Sequence, residues 1–207
     1  MSRPDAPIDH FALRKTPRQA RAIATFEAVL DAAARILVAE GYAAASTNRI
    51  ADVAGVSIGS LYEYFPGKDA VFAQLRRREG LQFYAGLVAE PRPQAPRDII
   101  RHLVTSRIEW ARQNPELYWA LESQVPREAV ADAERWVYDD FITLSIRFFD
   151  EHRAELRPTV DSEFLSEFLM RMVSATVHDF AMEAPERLDD PQLTKVMIDM
   201  VETFLLA

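Results

Sequence analysis

The run from Ser46 to Lys68, STNRIADVAGVSIGSLYEYFPGK, leaves little freedom in local structure. Ser46 supplies a cap oxygen for the free amides of a first helix, on which Ile50, Val53 and Ala54 fall at helical spacing. That helix must stop at Gly55, which takes a left-handed conformation without steric cost. Val56 can pack between two helices, and Ser57 caps a second one from Ile58 to Tyr64. Leu61 and Phe65, four residues apart, are expected to face the core. Ser57, Gly59, Ser60, Tyr62 and Tyr64 are left for the outer face, small or hydroxylated groups that can approach a nucleic-acid groove without an aliphatic barrier.

A helix, a glycine and a helix turn a corner in many all-α proteins. Here the flanking sequence is more specific. From AVLDAAARILVAEGYAAAST through NRIADVAGVSIGSLYEYF to PGKDAVF, about residues 20 to 75, the chain resembles the DNA-binding region of the tetracycline-repressor (TetR) family of bacterial transcription regulators. The resemblance implies an all-α fold, an N-terminal helix-turn-helix domain and a larger helical domain for ligand binding and dimerisation. It implies a phosphate-contacting hydroxyl at Thr47, a phosphate clamp at Lys68 and backbone-contacting aromatics at Tyr62 and Tyr64. Ser57, Gly59 and Ser60 would occupy the leading part of the recognition helix, and Arg49 is an additional candidate contact. Many relatives carry Ser or Asn just before the lysine where this chain has Gly67, a tolerable cap. Repression, as opposed to activation, is implied by the resemblance alone.

Charge agrees once it is divided by region. The whole chain carries −8, which argues against a polyanion partner, but residues 1–80 hold 11 Lys and Arg against 9 Asp and Glu. Residues 81–207 hold 13 against 23, so the net acidity lies there. Arg14, Lys15, Arg18 and Arg21 stand in a stretch without an acidic residue between His10 and Phe26. They can add phosphate contacts from a flexible arm, or form a solvated basic tail.

The expected organisation is an arm over 1–19, a helix-turn-helix domain over 20–68, and a connecting helix plus effector-binding and dimerisation domain over 69–207. Helices are expected from about Asp69 to Ala89, Arg97 to Gln113, over PELYWALES, from Pro126 to about Leu156, from Ser162 to Met182 and from Leu193 to the end. The prolines of PRPQAP, residues 91–96, mark the clearest linker.

The last two helices carry more apolar face than a terminal hairpin needs. Phe164, Phe168 and Met172, with Met197, Met200, Val201 and Phe204, are expected to meet a symmetry mate as a four-helix bundle, the alternative being an intramolecular bundle in a monomer. Two recognition helices about 34 Å apart, or a small multiple, would read a palindromic operator in double-stranded DNA. A small-molecule effector, largely apolar or aromatic, is implied by the resemblance. Trp110, Tyr118, Trp119, Trp136, Phe141, Met172 and Phe180 are candidates to line its pocket, with His102, Arg107 and His178 as polar anchors, although aromatics at this spacing also build ordinary cores.

An enzyme finds little support. None of the histidines at 10, 102, 152 and 178 has a glutamate three residues before it, as helical iron sites require. No P-loop, dinucleotide glycine pattern or G-x-S-x-G elbow occurs. With zero cysteines there are no disulfides, thiolate metal sites or thiol nucleophile. No cofactor, metal or membrane partner is expected, and a cytoplasmic location is, since the N-terminus lacks a signal-peptide core and no apolar run reaches the roughly 18 residues of a membrane span.

Overall fold

A computed structural model describes residues 13–87, 95–157 and 161–206, with the side chains of 129–140 outside the description. In chain order the helices are α1 (Ala20–Glu40), α2 (Thr47–Ala54), α3 (Ile58–Tyr64), α4 (Lys68–Leu87), α5 (Pro96–Gln113), α6 (Pro115–Gln124), α7 (Arg127–Glu151), α8 (Ser162–Glu183) and α9 (Pro191–Leu205). Two short 3-10 turns, Arg153–Glu155 and Pro185–Asp189, complete the order. Among the described residues the extended pairing is a single antiparallel bridge, Leu156 with Leu206. The chain divides into two compact units, Met1–Arg78 with Ala120–Glu134, and Glu79–Trp119 with Arg135–Ala207.

The first unit is built on α1, whose alanine-rich sequence favours helix and whose Val29, Leu30, Ala33, Ile36 and Leu37 are buried. α1 ends at Gly41, with φ at 83° and ψ at 165°, a region open to little besides glycine. A β-carbon at Gly41 would lie 2.9 Å from Gln124 Oε1, the atom that accepts a hydrogen bond from the Tyr42 amide at 3.1 Å. Gly41→Ala therefore strains the backbone and pushes the end of the Gln124 side chain off the Tyr42 amide, and a loss of about 1–3 kcal/mol is expected in urea unfolding. Gly55→Ala meets nothing within 4 Å at its α-left position, so its loss should be the smaller of the two. The reverse order would refute the strained backbone geometry at the end of α1.

Ser46 caps α2 by accepting from the Arg49 amide, Gly55 closes it at φ 69° and ψ 29°, and Ser57 caps α3 by accepting from the Ser60 amide. Leu61 and Phe65 are fully buried, and Phe65 stacks on Phe26 with ring centres 4.8 Å apart. The first turns of α4 add Val71, Phe72 and Leu75 to this core. Arg78 ties α4 to α1 through Glu27 at 3.1 Å and Asp31 at 2.7 Å, and Arg76 pairs with Glu122 of α6.

In the second unit α5 packs against α8 and α9. Ile100, Val104 and Ile108 of α5 meet a core that includes Leu165, Leu169 and Val177 of α8 and Met197, Ile198, Val201 and Leu205 of α9. Met197 and Val201, expected on a dimer surface, are 2% and 4% exposed and belong to this core. The reason is rotational: 197, 201 and 205 share one face of α9, while 196, 200 and 204 lie about 100° away and remain exposed. The same offset on α8 turns Leu165 and Leu169 inward and leaves Phe164 and Phe168 outside.

The helix expected to run to Leu156 stops at Glu151. Leu156 instead leaves helical geometry to bridge Leu206, and the Arg157 amide donates to the Leu205 carbonyl at 2.8 Å. Of the proline linker, 91–94 lie outside the described residues, and Pro96 opens α5.

Candidate nucleic-acid interface

α2 and α3 set their caps and glycine turn so that one side of α3 is sealed by Leu61 while the other is open. Ser57, Gly59 and Tyr62 are exposed and Ser60 is half-buried. Ser57 and Ser60 share a hydroxyl hydrogen bond of 2.8 Å, and the Ser60 amide donates to Ser57 Oγ at 3.0 Å, so both hydroxyls are oriented at the start of α3. Thr47, first residue of α2, and Tyr62 of α3 join their hydroxyls at 3.0 Å. Two side chains from different helices are thereby brought to one place. Ile58, 37% exposed, adds an apolar side chain at the start of α3 beside the expected polar ones.

Tyr64, expected beside them, is 5% exposed and turned inward, edge-on to Phe26 with centroids 6.1 Å apart. It stands three residues after Leu61 and so shares that residue's face. Its hydroxyl suggested the outside, but its ring completes the core.

Lys68 opens α4 and is half-buried, its Nζ donating to the Tyr42 carbonyl at 3.2 Å and lying 4.1 Å from the Tyr42 ring centre. The Tyr42 hydroxyl donates to Asp69. Burial, followed by that carboxylate, pushes the Tyr42 hydroxyl well above its ordinary titration range, so it stays protonated as a donor. Tyr42 was not recognised from sequence; the available signal was an aromatic directly after the glycine that ends α1. It braces the lysine ammonium from below and fixes its direction.

Arg49 is exposed but engaged with Glu40 at 2.6 Å. Its hydrogen bond holds the Glu40 carboxyl below the usual range and raises the guanidinium's own. Arg49 must exchange this partner to reach a phosphate. Of the basic stretch, Arg14 is docked onto the end of α3: its amide donates to the Tyr64 carbonyl at 2.9 Å and its Nη1 to the Tyr62 carbonyl at 3.3 Å. Lys15 and Arg18 follow as exposed side chains, and Arg21 lies in the first turn of α1, not in an arm.

The second-unit candidates fall into separate settings. Arg107, Trp110, Tyr118 and His178 are brought together, with Trp110 edge-on to Tyr118 at 5.2 Å and Tyr118 and His178 ring centres at 6.1 Å. His102 contacts the Leu87 carbonyl at 3.1 Å. Trp119 is 41% exposed, Phe141 is half-buried, Met172 and Phe180 pack against the core, and the Trp136 side chain lies outside the described residues. Phe164, Phe168, Val196, Met200 and Phe204 are all more than 40% exposed. Phe168 lies 6.2 Å from Phe164 and 6.4 Å from Phe204, which makes one continuous apolar surface across α8 and α9. No described helix is long and apolar enough to cross a membrane.

Residues 29–75 match the family of bacterial regulatory proteins, tetR family. A curated relative, the nucleoid occlusion factor SlmA of Glaesserella parasuis serovar 5, is 30% identical over 76 residues, 37% of this chain and 38% of that protein, so the match spans well under half of the relative's length. The fold is similar to that of the fatty acid degradation regulator FadR from Bacillus halodurans, with a TM-score of 0.74 at 17% identity over 89% of this chain and 96% of that one. It is similar also to SmeT in its triclosan complex, at a TM-score of 0.70 and 22% identity over 89% and 92% of the two chains. SmeT is the repressor of the Stenotrophomonas maltophilia multidrug efflux pump SmeDEF. At these identities the structural likeness concerns the fold.

Proposed function

We propose that this chain, which belongs to the tetR family of bacterial regulatory proteins by its residues 29–75, is a homodimeric repressor that binds a palindromic operator and is released from it by a small-molecule effector. The observation that carries the reading is the open face of α3, where oriented serine hydroxyls adjoin the Thr47–Tyr62 pair. Small groups let the backbone approach base edges, while Thr47, Tyr62 and Lys68 reach phosphates on either side. Lys15, Arg18 and Arg21, which are exposed, would add phosphate contacts, and Arg49 would join them on leaving Glu40.

The exposed surface of Phe164, Phe168, Val196, Met200 and Phe204 supports a twofold partner, because an apolar surface continuous over two helices gains most by being covered. A seven-residue recognition helix reads only a few base pairs, so two copies in fixed spacing supply specificity.

Selection of bound duplexes from a random pool should return an inverted repeat, and recovery of no common sequence would overturn the reading. On that operator, Tyr62→Phe removes a hydroxyl and Lys68→Ala a cation. Both should weaken binding in a fluorescence titration, and Lys68→Ala should also flatten the slope of log affinity against log salt by about one unit. Isotherms unchanged in both variants would remove the assigned contacts.

A further inference from the structure

The second unit contains one arginine in an unusual setting. Arg107 of α5 is half-buried, with its guanidinium carbon 5.8 Å from the ring centre of Phe83, 5.0 Å from Trp110 and 5.4 Å from Tyr118. Its Nη2 donates to the Tyr118 hydroxyl at 3.1 Å, and that hydroxyl lies 3.5 Å from His178 Nδ1. Among the described residues Arg107 has no carboxylate partner, although carboxylates are abundant in this part of the chain. Its neighbours use them: Arg101 pairs with Glu202, Arg112 with Glu109 and Asp189, Arg171 with Glu167, and Arg187 with Asp190.

A guanidinium carries five N–H donors in a planar fork, and ring faces satisfy its charge without using them. Withdrawing it partly from water behind aromatic walls costs solvation that an anion of matching geometry restores. A carboxylate matches the fork bidentately, and such charge-assisted bonds are about twice as strong as neutral ones. The net acidity of residues 81–207 disfavours ligands with several negative charges and is less adverse to a single one.

We propose that Arg107, with Tyr118 and His178 beside it, anchors the carboxylate of a monoanionic effector whose apolar body lies against Phe83 and Trp110. The inference deepens the ligand-responsive reading and rests on it only for the consequence that occupancy releases DNA.

The test is calorimetric titration of the full chain with decanoate and 4-tert-butylbenzoate, each compared with the alcohol of the same body. At least one acid should bind once per chain, about tenfold or more tighter than its alcohol. Arg107→Gln should erase the difference, and Arg107→Lys should keep part of it. Equal affinity of acid and alcohol, no binding by any of the four, or acid preference surviving in Arg107→Gln overturns the proposal. Should Arg107→Gln lose its helical circular dichroism, the wild-type comparison and Arg107→Lys decide. Operator release is measured separately: release by an alcohol but not its acid overturns the anchor and leaves the ligand-responsive reading intact, whereas acid binding without release does the reverse.

Discussion

Phe168→Glu combined with Met200→Glu is expected to convert a dimer into a folded monomer with operator affinity reduced about a thousandfold or more, the range that separates specific from non-specific binding. Both side chains are exposed, at 46% and 44%, so the charges enter water in the single chain and cost little there. In an apolar interface the same carboxylates would be buried without partners, at a cost of several kcal/mol each. Sedimentation equilibrium reads the assembly, circular dichroism the fold and gel shift the affinity. A variant that stays dimeric with wild-type affinity would move the interface elsewhere. Met197→Glu provides the contrast, since that position is 2% exposed and its charge should unfold the second unit instead of separating chains.

Phe65→Ala should cost about 3–5 kcal/mol, the usual loss for emptying a fully buried phenylalanine site. Phe65 has no exposed surface and stacks on Phe26 directly behind α3, so its removal takes support from α3 as well as from the core. Against a typical total stability of about 5–15 kcal/mol, the variant should show a much lower urea midpoint and lose operator binding with its fold. Tyr62→Phe should weaken binding at an unchanged midpoint, because Tyr62 is exposed and, among the described residues, its hydroxyl bonds only Thr47. A Phe65→Ala loss below about 1 kcal/mol would mean that α3 is held by contacts other than this stack.

The helix-turn-helix is legible in the sequence because its determinants are local. Ser46, Gly55 and Ser57 act on backbone groups within a few residues of themselves, and the structure shows each in the expected role. Spacing likewise placed Leu61 and Phe65 inside. Helix ends fell within a few residues wherever a proline or cap was present, and the exception was α7, which ends early because Leu156 pairs with Leu206, distant in sequence.

The amino-acid order alone determined the helical character of the described residues, the helix-turn-helix at 46–68 and the location of the apolar residues. Tertiary structure decided which of those residues face inward. On α9 and α8 the apolar arc is wider than one neighbour can cover, so periodicity could not separate buried Met197 and Val201 from exposed Met200 and Phe204. Tyr64 entered the core, Arg49 acquired Glu40, Lys68 settled over Tyr42, and Arg107 came to lie among aromatic rings with no carboxylate partner among the described residues. Periodicity reports how a helix is painted, whereas a side chain's partner depends on the rotation and approach of other helices, which are set by packing between residues far apart in the chain.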